Sequence, residues 1–331
     1  MRPWPVQRFL AAAIVLCACF ACTAPDKPTP TSRAGPIVNP ASPNGPLLTA
    51  SFGGVAWQPP AEKDIPTDSL GASIRRGLAI LRHTTDSLPD FAPGHINCTN
   101  CHLQDGRSLN GAPLAGSYAR YPKYIARSGA VVSMADRVNF CFTRSLAGSR
   151  LSSDSREMVD ILAYLAWLSS GVPIGAKMPG SDGMPAMKDT LAGDVARGSA
   201  TYAAKCQLCH QANGGGTEIV PALWGPRSFS VGASMARVER AATFIAHNMP
   251  LGMGGTLTPQ EAFDVATFVN SHERPDLPGK ENDWPLGGAP PDLPYTTTSG
   301  HQAVHAPPLL PRKMPARSIV PAPPRASALP Q

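Results

Sequence analysis

Aromatic residues make up only 6% of this 331-residue chain, and charged residues only 16%. With so few aromatics and 37 prolines, part of the chain is expected to be extended rather than packed. The net charge of +6 is spread along the sequence without a basic stripe, so nothing supports a nucleic-acid partner. Long apolar runs are also missing. The run at the N-terminus, Leu10 to Phe20, falls well short of the roughly 20 residues a membrane span needs. Arg2 and Arg8 precede or open it and small residues follow, which is the pattern of an export signal over residues 1–22. The length suggests roughly two domains of about 100–200 residues.

What the chain does have is cysteine, eight in all. Cys17, Cys19 and Cys22 lie in the export signal. The stretch Leu16–Cys19 resembles a bacterial lipoprotein signal, with Cys19 the expected lipid-bearing residue and Cys22 the next choice; ordinary cleavage without lipid is the alternative. Either route leads to the periplasm, and the first leads to a membrane surface. Four further cysteines occur as INCTNCH (Cys98, Cys101, His102) and CQLCH (Cys206, Cys209, His210). A redox dithiol does not need the histidine, and paired CxxC zinc ribbons keep their pairs roughly 15–20 residues apart, far closer than these two. Cys-x-x-Cys-His is the attachment pattern of c-type haem. The two thiols bond the porphyrin and the histidine becomes an iron ligand. Two haems c are therefore expected. Only Cys141 is left over, an odd thiol in an oxidising compartment.

Composition divides the chain further. Residues 23–68, rich in Pro, Ser, Gly and Thr, read as a flexible tether, and residues 69–172 as a first haem domain. In that domain Ile74, Leu78 and Leu81 share one helical face ahead of the first motif. Asp154 and Glu157 look like a cap and its partner, opening a helix with Met158, Ile161, Leu162 and Leu165 on one side; Gly171 and Pro173 end it. Residues 173–188 form a linker and 189–275 a second domain built to the same plan, from the helix DVARGSATYAAK to a helix launched by Thr258, Pro259 and Glu261. Ala262, Val265, Ala266 and Val269 line one face of that last helix. Residues 276–331 read as a disordered Pro-rich tail, with Arg312, Lys313, Arg317 and Arg325 either solvated or touching a membrane surface. The expected fold is all-α, two cytochrome c domains in tandem.

A shift of 108 residues carries His102 onto His210, Pro113 onto Pro221 and Cys141 onto Met249. The first proline spacing resembles that of class I cytochromes c, in which a carbonyl there accepts the N–H of the proximal imidazole and tunes the iron. AHNMPLG around Met249 resembles their distal methionine loop. The repeat thus makes Cys141 the distal ligand of the first iron and Met249 that of the second, with Met235, Met253 and His247 as alternatives at the second. An anionic thiolate holds ferric iron and lowers the potential, whereas a thioether raises it, so electrons are expected to run from the first domain to the second. The same shift sets Arg127, Arg137 and Ser145 against Met235, Ile245 and Met253. Guanidinium groups beside a cysteine ligand suit a small oxyanion.

INCTNCH, RVNFCFTRSLAG and AHNMPLGMGG together resemble the dihaem thiosulfate dehydrogenases over roughly residues 70–275. The resemblance implies oxidation of two thiosulfates to tetrathionate at the first haem, with Cys141, Arg127, Arg137 and Ser145 in the active site and an external cytochrome or similar acceptor. A glutamine that the family carries just after the first motif has no aligned counterpart; Gln104 is close but offset. Asn248 stands where some relatives offer a lysine ligand. Two other functions fit the same motifs: a dihaem electron carrier without substrate of its own, and a tetrathionate reductase.

Overall fold

The structure is a computed structural model that describes residues 45–180, 184 and 186–312. The export signal with Cys19 and Cys22, the first part of the expected tether and the basic residues Lys313, Arg317 and Arg325 lie outside the described residues. Nine α-helices follow in order: α1 (Ser69–Arg82), α2 (Thr84–Ser87), α3 (Leu103–Gly106), α4 (Met134–Phe140), α5 (Arg156–Leu168), α6 (Val195–Lys205), α7 (Gln207–His210), α8 (Val238–Asn248) and α9 (Pro259–Asn270) among the described residues. Among the described residues three small two-stranded pairs interrupt the expected all-α pattern. They are β1–β2 (Ala50–Phe52 with Val55–Trp57), β3–β4 (Lys123–Ile125 with Ala130–Val132) and the parallel β5–β6 (Arg274–Pro275 with Leu309–Leu310).

Each half is organised around one helix crossing. Asp68 caps α1 by accepting from Gly71 N at 2.8 Å, and Ile74, Leu78 and Leu81 are buried on its inner face as their spacing predicts. α5 packs across it. Its cap is Ser155, which accepts from Met158 N, not the Asp154 expected from sequence. The two candidates are adjacent, and Ser155 holds the extended backbone a cap requires. Where the helices meet, Gly77 lies so close that a Cβ there would stand 2.0 Å from the Asp160 carbonyl oxygen. Beside it Arg76 grips Asp160 with both arms, at 2.7 and 2.8 Å.

The second half repeats this crossing atom for atom. Asp194 caps α6, and the Thr258–Glu261 capping box with Pro259 opens α9 as expected. A Cβ on Gly198 would stand 2.0 Å from the Asp264 carbonyl oxygen, and Arg197 holds the Asp264 carboxylate at 2.7 and 2.8 Å. Bare glycine backbone is what lets the first and last helices of each half approach so closely.

Both flanks correct the sequence reading. The tether ends earlier than residue 68. Leu48 is fully buried and donates its N–H to Arg107 O at 2.8 Å, and Trp57 Nε1 donates to Ser170 O at 2.7 Å. The tail is not disordered up to residue 312. Leu277, Trp284, Leu293 and Tyr295 form a buried cluster with Val231. Arg312 turns inward, donating from Nε to Ala147 O at 3.0 Å, rather than outward to a membrane. Composition misleads here because a few widely spaced apolar anchors suffice to fix a proline-rich strand whose backbone has little freedom to lose. In the 173–188 linker, Met178 and Met184 are buried.

Candidate active site

The first motif sits in a 3-10 turn, Cys98–Asn100, opened by Asn97. Thr84 Oγ1 accepts from Cys98 N at 3.1 Å and lies 3.3 Å from its sulfur, which ties the turn to the start of α2. The Cys98 and Cys101 thiols are pushed up to about 12, by burial first, with the nearby Cys141 sulfur adding to it. His102 Nδ1 lies 2.5 Å from the carbonyl oxygen of Ala112, which leaves Nε2 for a metal. Pro113 was the expected acceptor, as Pro221 is for His210 at 3.1 Å in the second half. The first loop instead turns its acceptor one residue sooner, at Ala112, whose φ of +46° swings that carbonyl onto the ring.

Facing this turn is α4, capped by the Ser133–Asp136 box. It does not end in a normal turn. It widens into a π-turn, Cys141–Ser145, a distortion that often marks functional positions. The wide turn brings the Cys141 sulfur into the neighbourhood of the His102 imidazole. Arg137, one helical turn earlier, donates to the same sulfur from Nη1 at 3.0 Å. Burial pushes the Cys141 thiol up, but the Arg137 charge, the neighbouring His102 and the Arg137 hydrogen bond outweigh it and bring it down to about 6. A thiolate is the form a metal binds. Ser145 closes the turn, partly buried.

Arg127 follows β3. Its Nη1 donates to Gly232 O at 2.8 Å, and its guanidinium lies 4.4 Å over the Trp284 ring. Burial drives it down to about 10. The Arg137 charge reaches Arg127 and adds weakly to the same lowering. The Gln104 amide donates to Gly45 O at 3.0 Å.

Sequence reading missed the residues that hold this pocket from behind. Arg144, inside the π-turn, makes a two-armed ion pair with Asp283 at 2.6 Å on each arm. Tyr295 donates to the same carboxylate at 2.6 Å, and Trp284 N donates to Arg127 O at 2.8 Å. All three partners belong to the stretch read as a disordered tail. A Trp and a Tyr amid prolines were the signal available.

In the second half His210, Cys206, Cys209 and Met249 line one apolar cavity of about 250 Å³, and Met235 lines it too. Met253 and His247 do not; both are exposed. Asn248 donates to Asn110 O at 2.9 Å and to Phe244 O at 3.0 Å, which anchors the methionine loop on the first half. Ile96, Asn100, Cys101 and Leu103 of the first half complete the wall of this second cavity.

Both sites fit a covalent haem by the chemistry of their donors: two thiols side by side, an imidazole with one nitrogen already fixed by a carbonyl, and a sulfur on the far side. The SoxA/TsdA cytochrome c domain family matches residues 92–174, and the family of cbb3-type cytochrome c oxidase subunit III matches residues 193–269. The thiosulfate dehydrogenase of Allochromatium vinosum is 43% identical over 67% of this chain and 85% of its own length. That of Stutzerimonas stutzeri is 42% identical over 67% and 74%, and that of Psychrobacter arcticus 40% over 71% and 73%. Among solved structures, the "as isolated" form of thiosulfate dehydrogenase (TsdBA) from Marichromatium purpuratum superposes with a TM-score of 0.65 and 33% identity. The match covers 72% of this chain and 55% of that one, so this chain spans about half of that solved chain's length. With a haem-attachment motif in each of its two cytochrome c domains, the chain carries two c-type haems and belongs to the thiosulfate dehydrogenase family.

Proposed function

We propose that the protein joins two thiosulfates into tetrathionate, with His102 and Cys141 as the residues that would hold the iron of the first haem and His210 and Met249 those that would hold the second. The observation that carries this reading is the Cys141 sulfur, set near His102 and hydrogen-bonded by Arg137. When bound, the haems would supply acceptors for the two electrons of the reaction, with an external cytochrome or similar carrier as the final acceptor. The rest falls to side chains. Arg127 and Arg137 bind the thiosulfate dianion, and Ser145 offers a hydroxyl beside it. The Cys141 sulfur forms a bond to the outer sulfur of thiosulfate as two electrons leave, giving a cysteine S-thiosulfonate. A second thiosulfate attacks that bond, expels the Cys141 thiolate and departs as tetrathionate. The Arg137 guanidinium stabilises the thiolate at the start and again as the leaving group.

The electron path from the first half to the second is part of this proposal. It is supported by the harder, anionic sulfur at the first site and by the first-half residues in the second cavity's wall. So are a periplasmic location and a lipid anchor at Cys19, or else Cys22, which rest on the N-terminal sequence alone.

Mixing the oxidised protein with thiosulfate alone in a stopped-flow spectrometer tests the reading. An enzyme reduces its own haems within the turnover time; an electron carrier stays oxidised until its partner is added. Adding tetrathionate to the reduced protein measures the reverse reaction.

A further inference from the structure

The loop between Pro226 and Met235 belongs to the second half, yet its middle serves the first. Ser230 is 0% exposed, and each of its polar groups is engaged. Its hydroxyl donates to Arg144 O at 2.6 Å, and its N–H donates to the same oxygen at 3.2 Å. That carbonyl lies at a helix end and needs an outside partner. In a continued helix Gly148 N would bond it, but here Gly148 N turns to Phe142 O at 2.8 Å. Asp283 holds the Arg144 side chain, and Ser230 holds the backbone of the same residue, inside the turn that carries Cys141.

The remaining bonds of Ser230 lead to Arg127. Its carbonyl accepts from Ala233 N at 3.0 Å, and its hydroxyl oxygen accepts from Gly232 N at 3.2 Å. These two bonds close a tight turn whose Gly232 carbonyl receives Arg127 Nη1 at 2.8 Å. A guanidinium is flat, so one hydrogen bond together with the Trp284 ring 4.4 Å away fixes both its angle and its position. The acceptor is a neutral carbonyl and not a carboxylate, which leaves the charge of the arginine for an anion. One hydroxyl serves both the Arg144 and the Arg127 side because it donates and accepts at once.

We infer that Ser230 is a positioning residue for the first site, supplied by the second domain, which sets both the turn carrying Cys141 and the angle of Arg127. The inference rests on Arg127 and Cys141 acting on thiosulfate as proposed above. Phe229, the preceding residue, lines the second cavity, so the loop is seated in the second half. The first site is therefore complete only when the two halves are folded together.

The test compares the dihaem holoprotein with Ser230→Ala, Arg127→Gln and the double variant. Ser230→Ala should keep both haems and raise KM for thiosulfate about tenfold while lowering kcat less. In the Arg127→Gln background the same change should raise KM little further, because the residue it positions is gone. Amide exchange over residues 141–147, followed by mass spectrometry, should quicken in Ser230→Ala. An unchanged KM, an equal rise in KM with and without Arg127, or unchanged exchange would overturn the inference. If Ser230→Ala fails to fold, a crystal structure of the wild-type holoprotein with thiosulfate decides. Arg127 touching both the anion and Gly232 O supports the role, and Arg127 turned away from Gly232 O sinks it. Exchange needs no substrate, so a protein indifferent to thiosulfate still reveals whether Ser230 holds the turn, and the two failures are told apart.

Discussion

A single hydrogen bond, from Arg137 Nη1 to the Cys141 sulfur, is the contact on which the proposed reaction turns. Charge-assisted bonds of this kind contribute about 1.5–3 kcal/mol. Arg137→Gln should therefore lower kcat/KM for thiosulfate by roughly ten- to a hundredfold, measured in a steady-state assay with an artificial acceptor. Cys141→Gly should retain both haems by haemochrome count and lose turnover altogether; retained thiosulfate oxidation would refute the role given to that sulfur. At this scale most of the site was legible. Covalent attachment fixes Cys-x-x-Cys-His rigidly, and the repeat at 108 residues singled out Cys141, which the structure sets one helical turn after Arg137 and in contact with it. Ala112 was not legible. Which of two adjacent carbonyls meets the imidazole depends on one backbone dihedral, and the repeat conceals a loop that turns one residue sooner.

The helix crossings are the elements on which both halves depend, and each closes on one glycine and one ion pair. Gly77→Ala would drive a methyl into the Asp160 carbonyl, and Gly198→Ala would do the same at Asp264. Overpacking of this kind costs about 1–3 kcal/mol and should appear as a lower thermal midpoint followed by circular dichroism. At Asp160, burial pushes the carboxyl up, but hydrogen bonds from Arg76 and Ser73 more than reverse it and leave it below the ordinary range. At Asp264 the Arg197 hydrogen bond leads in the same direction. A lowered folded value means that the ionised group supports the fold at any pH above about 4 and stops doing so as the pH falls through that value. Asp160→Asn should therefore destabilise at pH 7, and its midpoint should converge with that of the wild type as the pH falls well below the ordinary carboxylate range; a constant difference throughout would rule out the linkage. Helix positions were readable from Ile74, Leu78 and Leu81 or from the Thr258 box because periodicity and capping are local. The partnership of Arg76 with Asp160 was not, since nothing in either helix alone announces which carboxylate its arginine will meet.

Over the whole molecule, the stretch from Asp276 to Arg312 reaches back from the second half to brace the first. Asp283 holds Arg144 in the π-turn, and Trp284 underlies Arg127. Removing one member of a buried ion pair costs about 3–5 kcal/mol, so Asp283→Asn should loosen the turn that carries Cys141. The expected signature is a new high-spin or altered low-spin signal from the first haem in electron paramagnetic resonance, with the second haem unchanged. Trp284→Ala should raise KM for thiosulfate more than it lowers kcat. Composition hid this brace because proline-rich segments normally lack the apolar anchors that Leu277, Trp284, Leu293 and Tyr295 provide here. The order of synthesis gives the brace a further meaning. The residues that brace Arg144 and Arg127 are made after both haem motifs, so a chain cut after Pro275 should be loaded with cofactor and coloured, and yet handle thiosulfate poorly. Spectra alone would pass such a product as sound.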